Sequence, residues 1–268
     1  MTHPRLIATD LDGTLLRSDG TVSARTQAAL TLAEAAGISI VFVTGRPPRW
    51  MESLTDHIGR HGVAICSNGG AVYDVRRKEL VESFPLRAED SLALVTALRA
   101  ELPGATFAFE YPLGFSQERG FGSAPWESTD VSRIATAEEF LATADADTVF
   151  KMLVKLSALD PDELLRRACR AAGGLAEITR SSPMLEISAL GVSKATTLAR
   201  WCAERGITAD QVVAFGDMPN DLPMLAWAGR AYAVANAHPE VLAATTLRAG
   251  DHDQDGVAAV IESLVAAL

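Results

Sequence analysis

Asp10-Leu11-Asp12-Gly13-Thr14 follows directly on the apolar run Leu6-Ile7-Ala8, and Gly216-Asp217-Met218-Pro219-Asn220-Asp221 follows Val212-Val213-Ala214-Phe215 far along the chain. Each carboxylate set stands where a short apolar run, of strand length, ends. In an open α/β sheet, ligands bind outside the carboxyl ends of parallel strands, so two neighbouring strands would gather four aspartates in one crevice. Carboxylates so crowded need a cation. An all-oxygen donor set selects a hard metal such as Mg²⁺, which is commonly held by one or two carboxylates together with substrate phosphate oxygens. The pattern points to chemistry on phosphate. A calcium loop of the EF-hand kind also begins Asp-x-Asp, but it needs Gly at its sixth position and Glu at its twelfth. Leu15 and Thr21 stand there instead.

The surrounding sequence predicts the elements that must carry these residues. Ser23 reads as an N-cap and Gly37 as the stop of a helix from Ala24 to Ala36, followed at once by a strand from Ile38 to Val43. Strand, crossover helix and strand in such quick order favour a parallel sheet with right-handed connections. A helix near Pro48 to Ile58, a strand Val63 to Cys66 and a hairpin through Asn68-Gly69-Gly70 come next. From about Pro85 the rhythm changes to helix, strand, a Gly-, Phe- and Ser-rich stretch, strand, helix and two strands, which reads as an inserted α+β module. The helix opened by Lys194 and the strand Val212 to Phe215 return to the α/β alternation. The expected fold is therefore α/β, with a discontinuous Rossmann-like parallel-sheet core over residues 1–84 and 186–268 and an inserted module over residues 85–185.

Composition narrows the function classes. Nearly half of the 268 residues are apolar, enough for a sizeable core. Cys66, Cys169 and Cys202 are odd in number and form no CxxC pair, so reduced thiols are expected rather than a disulfide or zinc set. No run reaches the roughly 18 apolar residues of a membrane span, and the N-terminal stretch lacks a signal-peptide pattern, so a cytoplasmic protein with no membrane partner is expected. The formal charge of −10 disfavours nucleic acid and anionic membrane as partners. His3, His57, His61, His238 and His252 show no metal spacing and read as surface residues.

Four motifs agree in order and spacing with one known group. Asp10 to Thr14, then Thr44-Gly45-Arg46 after a strand, then Lys194 in Gly191-Val192-Ser193-Lys194, then Gly216 to Asp221 resemble the haloacid dehalogenase superfamily of phosphotransferases, in its Cof-type (type IIB) sugar-phosphatase branch. Ser67-Asn68-Gly69-Gly70-Ala71-Val72-Tyr73-Asp74, Ala235-Asn236-Ala237 and Asp255-Gly256-Val257-Ala258 are similar to that branch as well, and only the middle, about residues 86–183, lacks a motif.

The resemblance implies a set of roles. Asp10 is the nucleophile that forms an aspartyl-phosphate, Asp12 the general acid and base, and Lys194 a positive charge beside them. Mg²⁺ is held by Asp10, by the main-chain oxygen of Asp12 and by Asp217, while Asp221 supports Lys194 or a metal-bound water. Leu11, Thr44, Gly45, Lys194 and Asn220 hold phosphate oxygens. The inserted module is a cap that sets specificity, with Glu110, Tyr111, Phe115, Arg119, Phe121 and Trp126 as candidate contacts. Arg46, Asn68, Gly69 and Arg180 are further candidates for contact with substrate. Asn236 reads as a turn or cap residue rather than a ligand. The expected activity is Mg²⁺-dependent hydrolysis of a small phosphate ester such as a sugar phosphate or pyridoxal phosphate. Two alternatives stay open: a phosphotransferase or phosphomutase using the same aspartyl-phosphate, and a binding protein that has lost catalysis. The compact form of Gly216 to Asp221 disfavours the first, and the presence of all the charged motif residues disfavours the second.

Overall fold

The computed structural model describes residues 3–54, 58, 62–112, 114–122, 132–181 and 184–268. In chain order these form β1 (Leu6–Thr9), α1 (Ala24–Ala35), β2 (Ser39–Val43), β3 (Val63–Cys66), β4 (Ala71–Asp74) and β5 (Glu79–Ser83). Next come α2 (Ala88–Glu101), β6 (Thr106–Tyr111), β7 (Gly114–Gln117), β8 (Ser132–Ile134), α3 (Ala137–Leu141), β9 (Lys151–Lys155), α4 (Pro161–Ala172), β10 (Ala176–Ser181) and β11 (Met184–Ala189). The chain closes with α5 (Lys194–Ala203), β12 (Val212–Gly216), α6 (Leu222–Trp227), β13 (Arg230–Ala233), α7 (Pro239–Ala244), β14 (Leu247–Arg248) and α8 (Gly256–Ala266).

Two compact units result, one from Met1–Glu82 with Lys194–Leu268 and the other from Ser83–Ser193. The first holds an eight-stranded sheet in the order β14-β13-β12-β1-β2-β3-β4-β5. β1 is buried along its whole length and pairs in parallel with β2 on one side and β12 on the other, Thr9 lying level with Phe42 and Phe215. Such a central strand reads as a continuous apolar run because both its faces are covered. Connections run outward from β1 through β2 to β3, and from β12 through β13 to β14. The strand order therefore reverses between β1 and β12, which is the crevice where an open α/β sheet binds ligand. Ser23 caps α1 by accepting a hydrogen bond from the Thr26 N–H, and Gly37 follows in the left-handed region at φ +81°.

The second unit is a six-stranded sheet in the order β10-β11-β9-β6-β7-β8, antiparallel except where β7 meets β8. Its strands alternate. Phe107, Phe109, Met152 and Ile187 pack with Leu94 and Leu98 of α2, whereas Ala108, Phe115 and Leu153 form a separate small cluster with Phe121.

The structure departs from the sequence reading at several places. The expected border at 185/186 would cut β11, but that strand pairs with β10 from Met184 to Ala189, so the units divide at 82/83 and 193/194. The helix expected from Pro48 is a 3₁₀ segment over Pro48–Leu54. The Gly-rich stretch contains β7, and β8, α3, α7 and β14 are short elements absent from that reading. Cys66 and Cys202 are buried, Cys169 is exposed, and all three are free thiols. Among the described residues no helix is long and apolar enough to cross a membrane.

Candidate active site

Asp10 begins the loop after β1, and its N–H still bonds to the Phe215 carbonyl of β12 at 3.0 Å. That ladder bond fixes the start of one acidic loop against the end of the other strand. Asp217 follows β12 directly, and Asp221 ends a 3₁₀ turn over Pro219–Asp221. Lys194, the first residue of α5, reaches into the same place: its Nζ donates to Asp10 Oδ1 at 2.6 Å and to Asp221 Oδ1 at 2.7 Å. All four side chains are buried, Asp221 completely.

Two glycines permit this packing. Gly13 has φ +76°, and a Cβ on it would lie 2.6 Å from Asp217 Oδ2; a Cβ on Gly216 would lie 2.6 Å from the Asp221 Cβ. Thr14 donates its hydroxyl to Asp217 Oδ1 at 2.9 Å, and Asp221 Oδ2 accepts the Asp217 and Met218 N–H groups at 3.1 Å each. Asp221 thus ties Lys194 to the Asp217 loop with both of its oxygens.

Carboxylate oxygens of Asp10, Asp217 and Asp221 lie within 4.8 Å of one another. Three buried carboxylates against one ammonium leave an excess of negative charge. Burial, reinforced by Asp221 and Asp217, raises the Asp10 pKa well above its usual value despite the opposing pull of Lys194. Burial and then the Asp221 charge push Asp217 up to about 6. Burial opposes the charge on Lys194, but Asp10 and Asp221 outweigh it and raise that pKa. An oxygen-only, over-anionic cluster is suited to a hard divalent cation, which would relieve the mutual repulsion.

The remaining expected residues distribute around this cluster. The main chain of Leu11 closes the loop, its carbonyl accepting the N–H groups of Thr14, Leu15 and Leu16. Thr44 is fully buried at the end of β2, and its Oγ1 accepts the Arg46 N–H at 3.0 Å, spanning Gly45. Ser67 and Asn68 both hold positive φ, 49° and 54°, a conformation costing roughly 1–3 kcal/mol for each such residue and found where a site over-determines the backbone. Their N–H groups bond to the Arg46 and Thr44 carbonyls at 2.9 and 3.0 Å, and Thr197 of α5 donates to the Gly69 carbonyl at 3.0 Å. Asn220 Nδ2 meets Asn68 Oδ1 at 3.4 Å, so these two candidates form a pair.

Arg46, a candidate for contact with substrate, forks onto Asp12: Nε to Oδ2 at 2.7 Å and Nη2 to Oδ1 at 2.6 Å. Asp12 is the exposed member of its motif, with 59% of its side chain accessible. This pairing had no sequence signal beyond the two residue types.

Candidates in the second unit have local partners. Arg180 on β10 is ion-paired with Asp162 at the start of α4. Glu110 is buried beside Lys151, Tyr111 packs on Phe140 with ring centres 5.2 Å apart, and Phe115 meets Phe121 edge-on at 6.2 Å. Arg119 is exposed, and Trp126 lies outside the described residues. Tyr111, Phe115 and Phe121 thus pack within the unit.

Comparison with known proteins gives the family of the chain. Residues 7–261 match the haloacid dehalogenase-like hydrolase family. Phosphoglycolate phosphatase of Halorubrum lacusprofundi is 30% identical, with 96% of each chain covered. Pyridoxal phosphate phosphatase YbhA of Escherichia coli is 28% identical over 97% of this chain and 98% of the relative. A haloacid dehalogenase-like hydrolase of Bacteroides thetaiotaomicron superposes with a TM-score of 0.78 at 27% identity, covering 97% of this chain and 99% of the other. Matched from its first strand into its last helix, the chain belongs to the haloacid dehalogenase-like hydrolases, in their Cof-type branch.

Proposed function

We propose that this enzyme is a Mg²⁺-dependent phosphatase that hydrolyses a small cytoplasmic phosphate monoester through an aspartyl-phosphate on Asp10. The observation that carries the reading is the single buried constellation of Asp10, Asp217, Asp221 and Lys194 at the β1/β12 switch point. Lys194 occupies Oδ1 of Asp10, which leaves Oδ2 to attack phosphorus as the ester oxygen departs. Asp12 gives the leaving oxygen a proton. It then takes one from the water that attacks the aspartyl-phosphate, releasing inorganic phosphate and regenerating the Asp10 carboxylate. For that to happen, the Arg46 fork must yield at least one Asp12 oxygen. Thr44, the main chain of Leu11 and Gly45, and Asn220 hold the phosphate oxygens, with Lys194 supplying positive charge. Mg²⁺, when bound by Asp10, Asp217 and the Asp12 main-chain oxygen, offsets the repulsion between carboxylate and phosphate.

Choice of ester is assigned to the Ser83–Ser193 unit acting as a cap. Support comes from relatives named for pyridoxal phosphate and phosphoglycolate, which share the whole chain length yet differ in substrate. The test is phosphate release from a panel of sugar phosphates, pyridoxal phosphate and phosphoglycolate, with and without Mg²⁺. Metal-dependent release from at least one ester is expected. Isomerised sugar phosphate without released phosphate, or full turnover in chelator, would overturn the reading.

A further inference from the structure

We propose that Asn236 is a positioning residue for the metal site, holding the loop after β1 so that the Asp12 main-chain oxygen and the Asp217 carboxylate stay in binding geometry. The inference rests on the metal reading given above. Asn236 lies just beyond β13, yet its side chain serves two distant loops: Nδ2 donates to the Gly13 carbonyl at 2.7 Å, and Oδ1 accepts the His252 N–H at 3.1 Å. One amide thus bridges the nucleophile loop and the turn before α8. The amide has both a donor and an acceptor, so it serves the first and the second at once.

Gly13 is where a displacement would be felt. Its Cα packs so closely on Asp217 that a Cβ would lie 2.6 Å from Oδ2, and the next residue, Thr14, bonds to Oδ1 at 2.9 Å. The Asp12 carbonyl belongs to the peptide just before, which shares the Gly13 Cα, so the bond to the Gly13 carbonyl anchors the chain one peptide away from that oxygen, with only the Gly13 φ and ψ between the two planes. A single hydrogen bond therefore bears on two of the three proposed ligands. From the same segment, the His238 N–H bonds to the Asp217 carbonyl at 2.8 Å.

The far end of the loop is gripped as well. Ser18 donates its N–H and hydroxyl to the two Asp253 oxygens at 2.8 and 2.7 Å, and Arg17 pairs with Asp255 at 2.8 Å. Asp255 stands in the left-handed region at φ +59°, turning the chain into α8. This clamp gives the segments around Asn236 and Asp255 a task. Partners that orient metal ligands typically affect metal affinity by roughly 10–100-fold.

The experiment is calorimetric Mg²⁺ binding to the metal-free full-length protein, run alongside the Mg²⁺ dependence of p-nitrophenyl phosphate hydrolysis. Asn236→Ala removes both bonds, and Asn236→Leu removes them while keeping the volume. Each is expected to raise the Mg²⁺ Kd about tenfold. At saturating Mg²⁺, kcat and KM for the ester should return to wild-type values, which general damage to the fold would not allow. An unchanged Kd in either folded variant, or a lost kcat that saturating Mg²⁺ does not restore, overturns the proposal. Asp217→Asn separates the two levels of the argument: if it still binds Mg²⁺ as the wild type does, the metal reading fails, not the clamp alone.

Discussion

Each unit of the molecule buries a lysine between two carboxylates, and the two settings differ in where those residues sit. Lys151 lies on β9 with Glu110 directly opposite it on β6 and Glu186 on β11, its Nζ 2.7 Å from Glu186 and 3.4 Å from Glu110. All three belong to antiparallel strands of one sheet, with Lys151 at the first position of β9. Lys194 instead meets residues from the ends of β1 and β12, where loops converge, and a third carboxylate, Asp217, joins them. Burial opposes the charge of both lysines, and in both the flanking carboxylates win. What distinguishes the Lys194 group is its larger surplus of negative charge, three carboxylates to one ammonium against two to one, and its place on converging loops rather than on strands. Function follows loops on a rigid scaffold.

The largest effect expected is at Asp10. Asp10→Asn keeps the shape and the fold but removes the nucleophile, so turnover should fall below detection; wild-type turnover in that variant would end the proposed mechanism. Lys194→Ala should cost about 10²–10³ in kcat, the scale of losing one preorganised positive or hydrogen-bonding group.

Asp12 comes next, with a loss of about 10²–10⁴ for Asp12→Asn on a sugar phosphate and less on p-nitrophenyl phosphate, whose leaving group needs little help from a proton donor. The Arg46 fork sharpens this. If Arg46 aims Asp12 rather than binding substrate, Arg46→Ala should show the same leaving-group dependence and add nothing to the loss in an Asp12→Asn background. A full additional loss there, measured as kcat/KM, would return Arg46 to the role of substrate contact.

How legible was this arrangement beforehand? Asp10, Asp217 and Asp221 drew notice because chemistry restricts such clusters to few residue types and because they follow apolar runs of strand length, while Lys194 entered through the resemblance of the four motifs and not through a local signal. The partners were not legible. Nothing local in Arg46 or Asn236 announces Asp12 or Gly13, since those bonds join loops brought together only by the sheet order. In the second unit, the short helix α3 did carry a signal: Thr136 and Glu139 form a capping box, with the Thr136 hydroxyl accepting the Glu139 N–H at 3.2 Å and the Glu139 carboxylate accepting the Thr136 N–H at 2.9 Å. β8 and β14 are two or three residues long and exist through pairing, below any periodicity.

The Lys151 group should behave as structure. Lys151→Met leaves Glu110 and Glu186 buried without their cation, which should destabilise the protein by about 3–5 kcal/mol. Urea unfolding is the measurement, and changing both glutamates to glutamine in the same chain should recover much of the loss. Turnover per folded molecule should be unaltered. A folded, undiminished Lys151→Met whose activity is gone would erase the contrast with Lys194.

The smallest effect expected runs in the opposite direction, and it tests whether the Lys194 group is held at a cost. Asp217 has its pKa raised from 3.8 to about 6, chiefly by burial and then by Asp221. A raised carboxyl contributes stability that is fully present below its unfolded value and is lost as pH rises through the folded one. In the metal-free protein this amounts to on the order of 3 kcal/mol, lost between about pH 4 and pH 6. Asp10, raised for the same reason, acts in the same sense, and Lys194, raised, keeps its charge across that window. Asp217→Asn should therefore match the metal-free wild type in Tm near pH 4 and exceed it near pH 7, although it is inactive. Mg²⁺ should close the gap from the other side, raising the wild-type Tm near pH 7 and much less near pH 5, where protons compete for the same oxygens. Thermal melts of both proteins across that range, with and without Mg²⁺, provide the measurement. If Asp217→Asn is the less stable of the two near pH 7 without metal, the surplus charge is compensated within the fold, and the contrast with Lys151 is lost.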